Sequence, residues 1–200
     1  MIIFFDIETV SIFGKDHRYS QEKPNLYADL LEKHNENFNF MPEYNKILTI
    51  ATWVKTTEGI VVKNLEGSEY EQIVKFFEIA EKNQLCGFNI KGFDIPFIVK
   101  RALHYGISLP NSLKLFGKKP WDMENMIDLY EVYKHTGYKS GSLDIICKFL
   151  EIPTPKNGID WSEVQGAHDE GRDDEIMEYC KRDVEATILV YDRFKALNFI

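Results

Sequence analysis

The chain opens with MIIFFDIETV (residues 1–10), in which an apolar run is followed by two acids. Residues 2–7 are short, apolar and rich in β-forming side chains, a pattern that predicts a buried strand. Asp6 and Glu8 are two positions apart at the end of this run, so their side chains point to the same face of a strand. Burying carboxylates is unfavourable without a compensating partner. The pattern therefore indicates a site at the strand end that needs negative charge.

The composition favours a single folded domain that spans residues 1–200. The chain has 44% hydrophobic and 14% aromatic residues, which is enough for a packed core. No apolar stretch approaches the roughly 18 residues that a membrane helix needs. Met1 leads directly into the predicted strand, with no signal-peptide pattern before it. Three cysteines without a CxxC spacing indicate reduced thiols rather than a metal site. We therefore expect a cytoplasmic protein without membrane contact.

The net charge limits how the chain can bind nucleic acid. The formal charge is −8 at pH 7, which counts against binding through a broad basic surface. An acidic pocket that holds metal ions, and through them phosphates, is compatible with this charge. The same acidity predicts weak non-specific affinity and distributive action on a polymer.

The order of predicted elements indicates an α/β fold. Residues 11–45 are polar and Asn-rich, and we interpret them as an insertion with one helix at 26–34. Residues 46–57 and 59–66 predict two antiparallel strands joined by a turn. The next expected elements are a helix at 69–83 capped by Ser68, a strand at 85–89 and a helix from Gly92 to Gly106. A strand that becomes a helix over 126–133 follows, and then a helix at 143–152, capped by Ser140 or Ser142 and stopped by Pro153. The last elements are a polar loop at 154–172 and a helix at 173–197. This order predicts a mixed sheet of five strands with helices on both faces.

Two further acids fit the chemistry suggested by the first strand. Asp94 lies at the start of a predicted helix, and Asp183 lies in the C-terminal helix with Tyr179 four residues before it, on the same helix face. If the four carboxylates converge, their repulsion raises their pKa values, and divalent cations relieve it. Hard oxygen ligands suit Mg²⁺ or Mn²⁺. Two such ions about 3.5–4 Å apart can activate a water and stabilise the leaving oxygen of a phosphodiester.

The segments FDIET (5–9), GFNIKGFDIP (87–96) and YCKRD (179–183) resemble the three motifs of the DEDD 3′–5′ exonucleases, in the same order. The tyrosine four residues before the last aspartate is typical of the DEDDy branch. The DEDDh branch has a histidine five residues before it, where this chain has Glu178. With SLDIICKFLEIP (142–153), the chain is similar to the predicted exonucleases related to the proofreading domain of family-B DNA polymerases. The resemblance covers about residues 1–9 and 46–197, with no polymerase portion, so we expect a stand-alone exonuclease.

The resemblance implies a ribonuclease H-like fold and a role for each motif residue. Asp6 would bridge two metal ions. Glu8 and Asp183 would complete the site of the ion that binds the attacking water, and Asp94 would support the other. Tyr179 would orient that water, because a phenol with a pKa near ~10 is a poor general base alone.

Other residues are weaker candidates for substrate binding. Asn89 either contacts the substrate strand or caps a turn, and Phe93 either stacks on a terminal base or packs in the core. Asp128 either supports the site or is structural. His168 fits a solvated loop better than a catalytic role. Three lysines in the loop-like stretch 113–121 either guide a single strand or form a solvated face; they are Lys114, Lys118 and Lys119.

The leading interpretation is a metal-dependent 3′–5′ exonuclease that releases nucleoside 5′-monophosphates from single-stranded nucleic acid, DNA more than RNA. An exoribonuclease is the nearest alternative, and an endonuclease on the same fold is less favoured. A nucleic-acid-binding module without activity and a phosphodiesterase for dinucleotides are alternatives of a different class. The sequence does not indicate the pathway, protein partners or oligomeric state.

Overall fold

The fold is described from a computed structural model. The described residues are 1–12, 40–56, 59–119, 123–137, 141–154 and 158–200. Most of the predicted insertion, including the helix expected at 26–34, lies outside them, as does Ser140. Within the described segments, no helix has both the length and the apolar character required to cross a membrane.

The described residues form one mixed five-stranded sheet with the order β3-β2-β1-β4-β5. Its strands are β1 (Ile2–Ser11), β2 (Asn45–Thr56), β3 (Gly59–Asn64), β4 (Gln84–Gly87) and β5 (Met126–Asp128). Strand β2 is antiparallel to both β1 and β3, and the pairs β1–β4 and β4–β5 are parallel. The predicted α/β architecture with a five-stranded mixed sheet is confirmed.

Helices cover both faces of this sheet. They are α1 (Glu69–Lys82), α2 (Asp94–Tyr105), α3 (Leu129–Lys134), α4 (Leu143–Phe149), α5 (Val164–Asp169) and α6 (Asp173–Ala196). Because side chains alternate along a strand, Ile3, Phe5 and Ile7 of β1 pack in the cluster that includes α1 and α2. Phe4 faces the opposite layer, where it packs with residues of α6. Asp6 and Glu8 share the parity of Phe4, so they face α6.

Local sequence signals explain the ends of two helices. Ser68 caps the start of α1, as the sequence predicted, and it forms a reciprocal capping box with Glu71. Helix α2 ends at Gly106, which has φ 69° and donates its N–H to carbonyls of the last turn. A residue with a Cβ is strained in this left-handed conformation, which is why glycine stops the helix there.

Two elements differ from the sequence-based expectation. Strand β1 does not end near Ile7 but continues to Ser11, because β2 pairs with it as far as Asn45. The two acids therefore lie inside the strand, not at its tip. Residues 154–172 are not entirely loop, since α5 forms within them. Val164 and Ala167 of this helix are buried against Val10 and the start of α6, so tertiary packing stabilises a helix that is too short to be stable by itself.

The edge of β2 that faces β3 is completed by side chains of α1 beyond the point where β3 ends. Strand β3 pairs with β2 only over 51–56. Before that point, Ile50 N donates to Gln72 Oε1 (2.9 Å) and Ile47 N donates to Glu69 Oε1 (2.7 Å). Both acceptors lie on α1. Buried backbone N–H groups need partners, so α1 takes the place of a missing strand.

The edge of β1 that faces β4 is completed in the same way beyond the point where β4 ends. Strand β4 pairs with β1 only over Ile2–Phe4. Further along, Ile7 N donates to Asp94 Oδ1 (3.2 Å), and Ser11 N donates to Gln165 Oε1 (2.7 Å). The start of α2 and helix α5 are thereby fixed against the part of β1 that carries the acids.

A buried ion pair joins α1, α2 and the turn before β2. Arg101 donates to both carboxylate oxygens of Glu69, from Nε at 2.8 Å and from Nη2 at 2.7 Å. Arg101 Nη1 also donates to Pro42 O (3.1 Å), and Tyr105 OH donates to Glu69 Oε2 (2.8 Å). Only 6% and 7% of the two charged side chains are exposed. Bidentate geometry and these further bonds compensate for the desolvation of both charges.

We expect Glu69→Ala to destabilise the protein strongly, because it leaves the Arg101 cation and the Ile47 N–H buried without this acceptor. Breaking one side of a buried pair costs about 3–5 kcal/mol, which corresponds to a melting temperature lower by about 6–20 °C in a chain of this size. Thermal unfolding of Glu69→Ala beside the exposed-site control Glu78→Ala measures this. Equal melting temperatures for the two variants would contradict the assignment.

Candidate active site

Three carboxylates converge on one side of the sheet. Asp6 and Glu8 project from β1, and Asp183 projects from α6, which packs on that face. One carboxylate oxygen from each lies within 4.8 Å of the others. All three side chains are partly exposed to a cleft. The structure thus brings together three of the four acids that the sequence singled out as metal ligands.

Asp94, the fourth predicted ligand, lines the same cleft but stands outside this group of three. It is almost fully buried, with 2% of its surface exposed, at the first residue of α2. Its Oδ1 accepts the N–H of Ile7, the residue between the two acids of β1. This bond fixes the distance between α2 and the carboxylates of the strand.

Burial is the main reason that these acids resist ionisation. It raises the pKa of Asp6 and of Glu8 well above the ordinary values, and the charges of Asp94 and Asp183 raise both pKa values further. Burial likewise raises the pKa of Asp94 to about 7, although hydrogen bonds from backbone N–H groups oppose the shift. Repulsion from other carboxylates, the cause expected from the sequence, raises these three pKa values less than desolvation does.

The donor set fits divalent cations. Each of the four residues offers hard carboxylate oxygens, the ligands that Mg²⁺ and Mn²⁺ prefer. A cation in the cluster would lower the electrostatic cost of ionising acids whose pKa values burial has raised. The cluster therefore has both the ligand chemistry and the unbalanced negative charge of a divalent-cation site.

Tyr179 lies one helical turn before Asp183 on α6 and also lines the cleft. It is 6% exposed and lies close enough to the Asp183 carboxylate for that charge to act on its phenol. Burial raises the pKa of Tyr179 above its ordinary value of 10, and the negative charge of Asp183 raises it further. The phenol therefore stays protonated at neutral pH and acts as a donor, which agrees with the positioning role implied by the sequence motif.

Cys180 is a neighbour of the site that the sequence did not reveal. Its Sγ lies 3.5 Å from both the carbonyl oxygen and Oδ2 of Asp6. Burial raises the pKa of this thiol well above its ordinary value, so it remains a neutral donor toward Asp6. Cys86 and Cys147 are also buried and free, in agreement with the expected reduced thiols.

The cleft has a volume of about 680 Å³, and the two candidates from the second motif, Asn89 and Phe93, line it. Asn89 has φ 61° in the loop that follows β4. Asp128 holds this loop, because its carboxylate accepts the N–H groups of Asn89 (2.8 Å) and Lys91 (2.9 Å). It also accepts the N–H of Tyr130 at the start of α3 (3.0 Å). Asp128 therefore has a structural role in placing Asn89.

Two aromatic residues of the cleft were missed by sequence reasoning. Phe40 and Trp161 are 45% and 59% exposed, and both line the cleft. Their ring centroids are 6.1 Å apart, and Phe40 also contacts Phe93 at 5.8 Å. A tryptophan in an otherwise polar stretch was the available signal for Trp161. Phe40 had none, because it lies within the predicted insertion.

The predicted lysines do not lie in the cleft. Lys114 lines a separate groove of about 470 Å³ beside α1, where its Nζ donates to Asn111 Oδ1 (2.9 Å). Lys118 and Lys119 are exposed elsewhere. No described contact connects these three residues to the carboxylates. His168 is not in a loop but in α5, where its Nδ1 lies 2.7 Å from Asp173 Oδ1.

Comparison with known proteins agrees with this geometry. Residues 38–199 match the sequence model of the predicted 3′–5′ exonucleases related to the exonuclease domain of PolB. The chain belongs to this exonuclease family. An uncharacterized protein of Methanocaldococcus jannaschii is 30% identical over 155 residues, which are 71% of this chain and 82% of that protein. A DNA polymerase of Archaeoglobus fulgidus is 21% identical over 165 residues, 79% of this chain but only 21% of the polymerase.

Membership in the exonuclease family agrees with the architecture. The mixed sheet with flanking helices is consistent with the ribonuclease H-like fold of such exonucleases. The family implies a nucleic-acid substrate and hydrolysis of phosphodiester bonds. The matched region begins at residue 38, so it includes Asp94, Tyr179 and Asp183, while the first motif with Asp6 and Glu8 precedes it.

We expect Asp94→Asn to stabilise the metal-free exonuclease at pH 8. The amide keeps an oxygen that can accept the Ile7 N–H, and it removes a charge that burial disfavours. A relief of about 1 kcal/mol raises the melting temperature by about 2–4 °C. Asp94→Ala, which also removes the acceptor, should lose about 1–3 kcal/mol relative to Asp94→Asn. Thermal unfolding in EDTA measures both, and a lower melting temperature for Asp94→Asn than for the wild type would contradict the argument.

The pH dependence of metal-free stability follows from the same shift. The pKa of Asp94 is about 7 in the folded protein, against an ordinary value of 3.8, so the folded state binds the proton more tightly. The associated stability is fully present below the unfolded value and is lost as the pH rises through about 7. In EDTA, the melting temperature should therefore fall between about pH 5 and pH 8, and fall less for Asp94→Asn. An equal fall in both proteins would exclude Asp94 as a source.

Proposed function

We propose that this chain is a metal-dependent 3′–5′ exonuclease of the DEDDy type that trims single-stranded nucleic acid, with DNA favoured over RNA. The observation that carries the proposal is the convergence of Asp6, Glu8 and Asp183 in a cleft that also contains Tyr179 and Asp94. The first three offer one oxygen each to a shared centre, and Tyr179 lies beside Asp183. These are the five residues that the sequence motifs predicted.

The proposed mechanism assigns the carboxylates to two Mg²⁺ or Mn²⁺ ions. Asp6, Glu8 and Asp183 would hold one ion, and Asp94 with Asp6 would support the other. When bound, such ions supply Lewis-acid stabilisation of the phosphate and activation of water. The acids of the chain serve as ligands in this mechanism, which they can do only when ionised.

Tyr179 has a different task in the proposal. Its phenol is protonated at neutral pH and lies against Asp183. It can therefore donate a hydrogen bond to the attacking water or to the scissile phosphate, and hold either in place. It cannot serve as the general base, because a phenol with so high a pKa keeps its own proton near neutral pH and leaves no phenolate to accept one from the water.

The DEDDy assignment rests on the helical spacing of Tyr179 and Asp183, which places both side chains in the cleft. At position 178, where a DEDDh enzyme has histidine, this chain has an exposed glutamate that pairs with Lys181. The presence of all four acids and the tyrosine favours an active enzyme over a binding module. The DNA preference follows from the family's relation to polymerase proofreading domains.

The direct test is an assay with 5′-labelled single-stranded DNA and RNA of matched sequence. We expect a ladder that shortens from the 3′ end with Mg²⁺ or Mn²⁺ and is absent with EDTA. Asp183→Asn, which keeps the side-chain shape but removes a charge, should lower the rate by at least about 100-fold, in line with losses on removing a main electrostatic group.

Two substrate controls separate the alternatives. A strand with a blocked 3′ end should resist cleavage, and a circular strand should remain intact. Cutting of the circle would show an endonuclease instead. Faster shortening of RNA than of DNA would favour the exoribonuclease. Absence of cleavage on both polymers with either metal would contradict the proposal.

The role of Tyr179 has its own test. Tyr179→Phe should lower kcat by about 10- to 100-fold, at or below the lower end of the roughly 100- to 10,000-fold that a proton-transfer group contributes, because the phenol positions the water and does not remove its proton. The increase in melting temperature on Mn²⁺ binding should persist, because the carboxylates remain. Tyr191→Phe is the matched control, since Tyr191 lies on the same helix and packs against Phe4 away from the cleft. Loss of the Mn²⁺ effect in Tyr179→Phe would show that the tyrosine organises the ligands instead.

A further inference from the structure

The charged residues that line the cleft are all acidic. Five of the described residues that line it are acids, and none of them is lysine or arginine. A single strand bound along a protein surface usually contacts a basic groove, and each phosphate contact adds affinity that salt weakens. In the part of the chain that the structure describes, the cleft has no such groove.

The remaining residues do not reverse this charge balance. Residues 13–39 contain four lysines or arginines against five acids. The other short segments outside the described part add two lysines and two acids. The whole chain carries −8, so nucleotides that extend beyond the cleft meet a surface that is acidic on average.

The cleft instead offers aromatic surface. Phe40 and Trp161 each expose about half of their side chains, and Phe40 rests edge-on against Phe93. Phe93 in turn contacts the core residue Phe97 at 5.5 Å between ring centroids, so this row of rings is anchored. Exposed aromatic rings next to a catalytic cleft suit the faces of nucleobases, which stack without regard to sequence.

Hydrogen bonds also hold the backbone that follows Phe40. Arg101 binds the carbonyl of Pro42, and Asn45 Nδ2 donates to the carbonyl of Met41 (2.9 Å). These bonds hold the two residues that follow Phe40, which limits the entropy lost when a base stacks on it.

From these observations we propose that the exonuclease recognises only about the last two nucleotides of its substrate, by stacking on Phe40 and Trp161 and by contact of the phosphate with the metal-loaded carboxylates. Short oligonucleotides are then substrates as good as long strands. The inference rests on the proposed exonuclease function. The cleft volume of about 680 Å³ is within the range of sites that enclose a ligand of one or two nucleotides.

The test compares a trinucleotide with a strand of about twenty nucleotides, at salt concentrations from about 50 to 200 mM. We expect KM values per 3′ end within about threefold of each other, and a dependence of log KM on log salt smaller than about 0.7, the value for one phosphate contact. A KM more than tenfold lower for the long strand, with a salt dependence of several phosphates, would overturn the short footprint and leave the exonuclease function intact. No metal-dependent hydrolysis of either substrate would overturn both.

Variants distinguish base stacking on Trp161 from phosphate binding by the three lysines Lys114, Lys118 and Lys119. Trp161→Ala should raise KM by about tenfold for both lengths, since one stacked base contributes about 5- to 150-fold by alanine substitution. Trp161→Phe should restore most of the affinity. Phe199→Ala, an exposed aromatic outside the cleft, is the control. The triple variant of Lys114, Lys118 and Lys119 to alanine should leave KM within about twofold. A larger increase in the triple variant than in Trp161→Ala would overturn the proposal.

A binding measurement without catalysis completes the test. An uncharged dinucleoside methylphosphonate should quench the tryptophan fluorescence of the wild type in EDTA, because stacking needs neither metal nor phosphate charge. The quenching should be lost in Trp161→Phe and kept in Phe199→Ala. Equal quenching in the wild type and Trp161→Phe would show that the base does not stack on Trp161.

Discussion

The structure depends on a first strand that extends beyond its parallel neighbour. Strand β4 accompanies β1 only as far as Phe4, and the exposed N–H groups beyond it must find other partners. Asp94 and Gln165 supply them at Ile7 and Ser11. The same requirement that completes the sheet thus brings the second-motif aspartate and helix α5 to the acids of β1. One consequence is that a carboxylate of the candidate active site also maintains the fold.

The convergence of the acids creates the chemical property that the site uses. Partial burial and mutual repulsion disfavour the ionised forms of Asp6, Glu8 and Asp94. A divalent cation held by these acids would stabilise the folded protein, because ligands that bind the folded state stabilise it. The neutral groups of Tyr179 and Cys180 lie beside Asp183 and Asp6, respectively, and add no charge to the site. In the proposed mechanism, affinity for metal and readiness to bind a phosphodiester would have one physical origin.

The sequence predicted the parts of the fold that local patterns determine. The helix cap at Ser68, the glycine stop at Gly106 and the presence of five strands all follow from short-range patterns, and the three motifs identified the acids. Tertiary contacts decided the rest. Strand β1 continues to Ser11 because β2 pairs with it, and α5 exists because Val10 and Ile176 bury one side of it. Phe40 and Trp161 are separated by about 120 residues in the chain, so no local pattern could show that their rings meet.

The proposed mechanism requires that the carboxylate cluster bind two divalent cations. Calorimetric titration of the metal-free protein with Mn²⁺ tests it most directly, because it counts ions without requiring a substrate. We expect about two ions per chain for the wild type, with at least one of them lost in Asp183→Asn. Absence of saturable Mn²⁺ binding, or binding that Asp183→Asn leaves unchanged, would contradict it.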